Sequence, residues 1–440
     1  MLAVDSMKTW RKTHKNSELP LTSDGSEVIV MGWLHEIRDL GSIKFLILRD
    51  STGIAQVTIK KDEADPRLFE ITSQLTRESV IAVKGVVKKS EKSKLGFEIL
   101  PQEIKLLNVS KSPLPLDVTG KVPADFETRM NSRFMDLRRP SEILVFKLQH
   151  EVLKAIRAFL DENGFLEVIT PKILVSATEG GAELFKVQYF EKTVYLAQSP
   201  QLYKELLTSC FERVYEIGVY FRAEESNTPY HLNEFTSVDI EAAFMDYRDV
   251  MRILEECIVH VYQHLKKKYY EELKKIHADF TEPSTPFPII TYSEAIELIR
   301  GKGMKINWGD DLTTPALRLL SEEHGSYYFI IDWPTKTKPF YIKPRRDDEK
   351  VSESFDLMWR HIELASGGSR IYLREELEKS IRNKGLNPEN FQEYLKVFDY
   401  GMPPHAGWGL GLSRFLMVLT GRSNIREVVL FPRDRTRLTP

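Results

Sequence analysis

The chain changes rhythm near residue 140. Between residues 27 and 107 apolar and polar positions alternate in short runs, EVIVMGWL, IKFLILRD, GIAQVTI, SVIAVKGVV and GFEILPQEIKLL, separated by Asp, Gly and Ser. Alternation at period two predicts strands with one buried face. Beyond Pro140 the apolar positions Val145, Leu148, Val152, Ile156 and Phe159 recur at spacings of three and four. That spacing predicts an amphipathic helix, closed by Asn163-Gly164, a pair that tolerates left-handed backbone. Strands are then predicted over 166–170, 194–197, 214–222, 235–242 and 327–332, with a long helix over 247–270 and a shorter one in QSPQLYKELL, residues 198–207.

Five short strands in succession suit a small closed barrel, with a five-stranded OB-fold as the leading candidate and a β-sandwich as the alternative. Residues 112–139 contain three prolines and a run of arginines with little periodicity, the pattern of a hinge. Strands in runs, without regular β-α alternation, then predict an α+β domain on an antiparallel sheet flanked by helices. The expected organisation is a barrel domain at 1–111, a hinge at 112–139 and a second domain at 140–440.

Composition narrows the class. With 42% hydrophobic and 29% charged residues the chain reads as globular, and no apolar run reaches the length of a membrane span. Cys210 and Cys257 lie far apart, which offers neither a disulfide framework nor metal-ligand spacing and agrees with a reducing cytoplasm. A formal net charge of −2 gives no bulk sign of a nucleic-acid partner, so such a partner must be read locally.

Three stretches carry candidate chemistry. In YEIGVYFRAEESNTPYHLNEFTSVDIEAAF, period two puts Tyr220, Arg222 and Glu224 on one face and Phe235, Ser237, Asp239 and Glu241 on another. Arginine suits a phosphate and phenylalanine a flat ring, whereas the alternative is an exposed, ion-paired sheet face. GWGLGLSRFLMVLTG has Gly407, Gly409 and Gly411 leading into a helix with Arg414 in its first turn. Alternate glycines admit close approach of a ligand or a second backbone, but the spacing departs from a dinucleotide-binding fingerprint. In SFDLMWRHIELASGGSR, Asp356, Glu363 and Ser366 supply oxygens suited to a hard cation such as magnesium, with the two carboxylates only approximately on one helical face.

Together these stretches resemble the class II aminoacyl-tRNA synthetases, specifically the aspartyl enzymes of archaeal type. GFLEVITPKI, ending near Pro171, looks like the first family motif, the FRAEE hairpin like the second and GLGLSR like the third, with QSPQLYK specific to the family. The resemblance implies ATP-dependent attachment of L-aspartate to tRNA-Asp through an aspartyl-adenylate, with Mg2+, in a cytoplasmic homodimer. By the same match Lys204 and Arg370 bind the side-chain carboxylate, and Asp239 positions the lysine. Glu179, Ser199 and Gln201 hold the amine. Arg222 grips the α-phosphate, Glu224 the adenine edge, Phe235 an adenine face, and His231 and Arg414 the outer phosphates. Asp356, Glu363 and Ser366 fall at magnesium positions. In the barrel, Phe45 matches an aromatic that stacks an anticodon base, with Arg38 and Gln56 beside it. Aspartate and asparagine are nearly isosteric, so charge must separate them: a buried cation left without its anion costs about 3–5 kcal/mol.

Some positions depart from the family pattern. His35 matches relaxed enzymes that also charge tRNA-Asn, while Lys94 matches the strict group. Tyr372 stands where many relatives carry histidine. Residues before Trp10 have no counterpart at the family's usual start, which implies initiation at Met7. An asparaginyl enzyme, a tRNA-independent ligase and a non-catalytic paralogue remain as alternatives. The last predicts erosion at Lys204, Arg222, Glu363 or Arg414, and all four are present.

Overall fold

The computed structural model describes residues 4–73, 75–175, 184–225, 227–277 and 280–440. The chain separates into two compact units, 1–139 and 140–440. In the first, β1 (Glu27–Asp39), β2 (Ile43–Arg49), β3 (Ile54–Lys60), β4 (Val80–Lys89) and β5 (Phe97–Asn108) close into a barrel in the order β1-β2-β3-β5-β4. The alternation works as its period demands: Val28, Val30, Leu34, Leu46, Leu48, Val57 and Ile59 fill the interior. A helix the alternation does not signal, α1 (Pro66–Thr72), follows β3. Its first turn is capped by the Asp65 side chain, and Leu68 closes the core. Residues 112–139 hold two short helices, α2 (Phe126–Asn131) and α3 (Arg133–Asp136). Buried Asp136 there pairs with Arg129, Arg133 and Arg139, so ion pairing shapes a segment that apolar spacing left blank.

The second unit begins with α4 (Pro140–Glu162), the helix predicted from Val145 to Phe159. The strands that follow are β6 (Leu166–Glu167), β7 (Ile173–Leu174), β8 (Lys186–Tyr189), β9 (Lys192–Leu196), β10 (Arg213–Phe221) and β11 (Glu234–Ala243), with α5 (Gln201–Phe211) between β9 and β10. After α6 (Tyr247–Ile276) come β12 (Ile289–Thr291), α7 (Tyr292–Gly301), α8 (Thr314–His324), β13 (Tyr327–Ile331), β14 (Ser354–Trp359), β15 (Ile362–Ser369), α9 (Arg374–Asn383), α10 (Gln392–Phe398), β16 (His405–Gly411) and α11 (Leu412–Thr420). The large sheet runs β12-β13-β14-β15-β16-β11-β10-β6, and β7-β9-β8 form a small one.

The sheet is antiparallel through its middle and parallel at both edges, where β6 joins β10 and β12 joins β13, so it is mixed rather than wholly antiparallel. The strand expected over 166–170 stops at Glu167, because the Thr170 N–H and hydroxyl donate to Glu216 at 3.2 and 2.6 Å instead of extending the ladder. The region around Asp356 and Glu363 is a β-hairpin, not a helical face, and Asp356 sits opposite Ser366.

Helices α4 and α6 bury Val152, Ile156, Leu254 and Ile258 with Val238, Ile240 and Trp408 from β11 and β16. Since β side chains alternate, Ser237, Asp239 and Gly409 face the other way.

Candidate active site

That opposite face floors a cleft of about 460 Å³, within the range of about 300–1,000 Å³ usual for small-molecule sites. Ser199, Gln201, Arg222, Glu224, His231, Phe235, Asp239, Glu363, Ser366, Arg370 and Arg414 all line it. They come from four stretches far apart in sequence, 199–201, 222–239, 363–370 and 414, brought together because β11, β16 and β15 are neighbours. Glu179 lies outside the described residues.

The glycine alternation in β16 has a definite use. Gly409 is paired with Asp239 and Gly407 with Glu241 across the β11–β16 ladder. A Cβ on Gly407 would stand 2.3 Å from a Glu241 carboxylate oxygen and 2.2 Å from the Ile240 carbonyl, and one on Gly409 would stand 2.9 Å from Asp239. What approaches these glycines is therefore the acid row of the neighbouring strand.

Beneath the floor the acids meet two cations. Lys204, one turn into α5, is 1% exposed. Its ammonium donates to Asp239 and to the Trp408 carbonyl, both at 3.1 Å, and lies 3.5 Å from Glu241. Lys204 is thus held beneath the floor, with protein acceptors around its three donors, directly behind Asp239 and Glu241. Arg370 does line the cleft. Its Nε and one terminal nitrogen donate to the two Glu241 oxygens at 2.8 and 3.2 Å. A guanidinium has five N–H donors, so others remain. Burial works against the Arg370 charge, and Glu241 outweighs it and raises the guanidinium above its ordinary value. Burial likewise pushes Glu241 up, but Arg370 and Lys204 hold it below the usual carboxylate range. Asp239 Oδ2 is buried without a hydrogen-bond partner among the described residues.

At the other end, Arg222 lies over the Phe235 ring, 5.2 Å from its centroid. Asn233 fixes this corner by donating its side-chain N–H to the carbonyls of Arg222 and Glu224 at 2.7 and 3.1 Å. Arg414, in the first turn of α11, donates to the carbonyls of Tyr230 and Glu363. Burial, with Arg414 close by, lowers His231 to about 4, so at neutral pH it meets the cleft as an uncharged imidazole.

The cation position is partly prepared. Glu363 and Ser366 line the cleft, but both oxygens of Asp356 are 2.8 Å from the Lys338 ammonium. Burial raises Asp356 to about 6, with Lys338 opposing and Glu363 adding to the push. Among the described residues no group of three or more His, Cys, Asp or Glu is placed to hold a metal. Magnesium needs only one or two carboxylates when phosphates and water complete its shell, so Glu363 with Ser366 fits it, whereas Asp356 is already satisfied. Lys338 was missed in the sequence because nothing local to TKPFYIKP marks its partner 18 residues on. Glu205, Tyr394 and His405, buried behind Gln201, were missed for the same reason.

In the barrel unit, Arg38 pairs across strands with Phe45 and Phe45 with Thr58, which puts all three on one face. Gln56 shares it, two residues before Thr58 on the same strand, and donates to the Thr58 hydroxyl at 3.3 Å. Phe45 is half-buried and absent from the barrel core. His35 is not on this face. It occupies the register shift of β1, is 9% exposed, and points Nδ1 toward Glu78 at 3.6 Å. Lys94 is exposed in the turn between β4 and β5.

A charged cleft on the open face of an antiparallel-centred sheet, in a chain that also carries an OB barrel, is the construction of a class II aminoacyl-tRNA synthetase. Residues 125–435 match the family of class II tRNA synthetases (D, K and N), and residues 28–107 match the OB-fold nucleic acid binding domain. The chain belongs to that synthetase family. It is 50% identical over 431 residues to Aspartate--tRNA(Asp/Asn) ligase of Methanothermobacter thermautotrophicus, covering 98% of this chain and 99% of that protein. The corresponding ligase of Archaeoglobus fulgidus is 51% identical over 418 residues, covering 95% and 97%. The crystal structure of asparaginyl-tRNA synthetase from Pyrococcus horikoshii complexed with asparaginyl-adenylate superposes with a TM-score of 0.93 at 32% identity, covering 98% and 100% of the two chains. Aspartyl tRNA synthetase from Entamoeba histolytica gives 0.85 at 31%, covering 98% and 94%.

Proposed function

We propose that this chain attaches L-aspartate to the 3′ end of tRNA-Asp, and also of tRNA-Asn, through an aspartyl-adenylate. The observation that carries the amino-acid choice is Arg370, buried, held by Glu241, and still offering N–H donors to the cleft. Two cations and two carboxylates balance in that network, and an aspartate side chain adds one anion at the end where donors remain. Asparagine would present its own NH2 to the same donors. The names of the archaeal relatives support aspartate and both tRNAs.

In the first step the ionised α-carboxylate of aspartate attacks the α-phosphorus of ATP in line. The bond to the bridging oxygen breaks and pyrophosphate leaves. In the second, the terminal ribose hydroxyl of tRNA attacks the acyl carbon, the bond from that carbon to the phosphate oxygen breaks, and AMP leaves with the hydroxyl proton passing to its phosphate. The attacking carboxylate carries no proton, so the first step needs no general base, and orientation plus charge stabilisation supply the rate. Ser199 and Gln201 receive the amine, with Glu179 assigned there by resemblance. Arg370 meets the side-chain carboxylate, and Lys204, braced by Asp239, adds its positive charge from beneath the floor. Arg222 and Phe235 take the α-phosphate and adenine, with Glu224 at its edge, and Arg414 and neutral His231 take the outer phosphates. Glu363 and Ser366 would hold Mg2+, which when bound neutralises phosphate charge. Phe45, Arg38 and Gln56 form the anticodon face.

The partner copy in a homodimer is assigned to the exposed apolar residues Ile169, Ile173, Val175 and Phe190, with exposures from 50 to 93%, since exposed large apolar side chains favour a protein–protein contact. No helix among the described residues is long and apolar enough to cross a membrane, and the cytoplasm, where tRNA is charged, is the proposed location.

Pyrophosphate exchange tests the reading. Exchange is expected with aspartate and not with asparagine or lysine; exchange driven by asparagine alone would instead favour the asparaginyl activity of the Pyrococcus neighbour. Charging of purified tRNA-Asp and tRNA-Asn then tests the second tRNA, and an enzyme active only on tRNA-Asp would remove it.

A further inference from the structure

Behind Gln201 lies a buried polar set with no part in the reaction described above. Glu205, one turn further along α5, is fully buried. Its Oε1 accepts from Gln201 Nε2 at 2.6 Å, and its Oε2 accepts from the Tyr394 hydroxyl of α10 at 2.6 Å. His405, first residue of β16 and 1% exposed, places Nε2 3.2 Å from that same Oε2 and Nδ1 2.8 Å from the Pro403 carbonyl.

Proton counting restricts this set. A carbonyl oxygen only accepts, so His405 Nδ1 carries a hydrogen. A neutral ring would then aim the Nε2 lone pair at an ionised carboxylate oxygen 3.2 Å away, two acceptors face to face at a distance that admits no bridging water. The pair therefore holds one further proton, on Nε2 or on Oε2, and is neutral as a unit in either case. The charged groups around it are Arg370 after β15, Glu241 of β11 and Lys204 of α5. Arg370 feels Glu205, and Glu241 feels both His405 and Lys204. Wherever the proton sits, Oε1 stays an acceptor. The Gln201 nitrogen is held toward Glu205, and the Gln201 carbonyl oxygen is left for the cleft that Gln201 lines.

We propose that the His405–Glu205 pair is a positioning device that fixes the amide of Gln201 so that its oxygen, and not its NH2, meets the ammonium of the amino-acid substrate. The inference rests on the aspartate reading of the cleft. A Gln201 amide without this partner is free to rotate and spends part of its time presenting donor to donor. Glu205→Gln preserves the device: its new carbonyl accepts from Gln201 while its NH2 donates to a neutral His405 ring and to the Tyr394 hydroxyl, whose own hydrogen turns away. Glu205→Met, similar in length and apolar, removes it.

The test compares KM for L-aspartate in pyrophosphate exchange with the inhibition constant of succinate, which is aspartate without its amine, in the full chain and both variants. Glu205→Met is expected to raise the aspartate KM by about tenfold or more, the loss of one charge-assisted hydrogen bond. Succinate inhibition should shift by less than about twofold on the same argument, since it has no ammonium. Glu205→Gln should stay near the parent. Parallel loss for aspartate and succinate, or no loss for either, overturns the proposal. If the parent chain shows no aspartate-dependent exchange, the underlying reading fails first and visibly. Neutron diffraction from the unaltered protein decides independently of how the variants fold. Deuterium on Nδ1, one more between Nε2 and Oε2, and the Gln201 nitrogen toward Glu205 are expected, and a Gln201 carbonyl turned to Glu205 overturns it.

Discussion

Glycine 407 shows how much one missing atom carries. Its place opposite Glu241 leaves room for a carboxylate that cannot swing elsewhere, since Glu241 is fully buried. Gly407→Ala is expected to destabilise the fold by about 1–3 kcal/mol through overpacking. Gly411→Ala, where the nearest atom to a new Cβ is 3.7 Å away, should cost far less. Thermal melts of the two variants check the contrast, and equal losses would refute the close-approach argument. Arg370 gives a sharper case. Arg370→Gln leaves two buried carboxylates, Asp239 and Glu241, sharing Lys204, so about 3–5 kcal/mol of stability should be lost. Adding Glu241→Gln should return most of that stability without restoring aspartate activation, as read by urea unfolding and pyrophosphate exchange.

Among elements, a charge clasp ties down the C-terminal segment. Asp434 accepts from Arg426 in the 3₁₀ turn Ile425–Val428 at 2.7 Å and from the N–H groups of Thr436 and Arg437, each at 2.8 Å. Burial pushes Asp434 up, but Arg426 and those N–H donors outweigh it and hold it at about 2, below its ordinary 3.8. A carboxylate lowered in the folded state binds fewer protons there than when unfolded. Its stabilisation is complete above about pH 4 and lost as pH falls towards 2. Urea midpoints of the parent chain and Asp434→Asn should therefore differ at pH 5 and converge near pH 2. A difference that persists unchanged would show that charge is not what holds the segment. The same reasoning explains why apolar periodicity left 112–139 blank, since Asp136 and three arginines shape it.

For the whole molecule, the separation into a barrel and a sheet unit predicts separable losses. Phe45→Ala should raise the KM for tRNA in aminoacylation by about tenfold, as base–aromatic stacking is worth about 1–3 kcal/mol. Pyrophosphate exchange, which needs no tRNA, should be unchanged. Parallel loss of both would place Phe45 in the fold of the barrel rather than on its reading face.

Local pattern was sufficient for the barrel strands, for α4, and for the floor residues of β10 and β11, because period two and period 3.6 act between near neighbours. Residue types on the strands and glycine-rich turn pointed to Arg222, Phe235, Asp239 and Arg414, while Ser199, Gln201, His231 and Arg370 were legible only through the family resemblance. What they could not reveal was partnership. That Asp239 and Glu241 fill the space above Gly409 and Gly407, that Lys338 occupies Asp356, and that Lys204 supports the floor while Arg370 opens to the cleft follow from the pairing of distant strands, from a loop folding back on a hairpin, and from α5 packing on β11. His405 and Glu205 are 200 residues apart in the chain and 3.2 Å apart in space. Hydrogen bonds and charge pairs act over a few ångströms, so only the tertiary structure decides which of them exist.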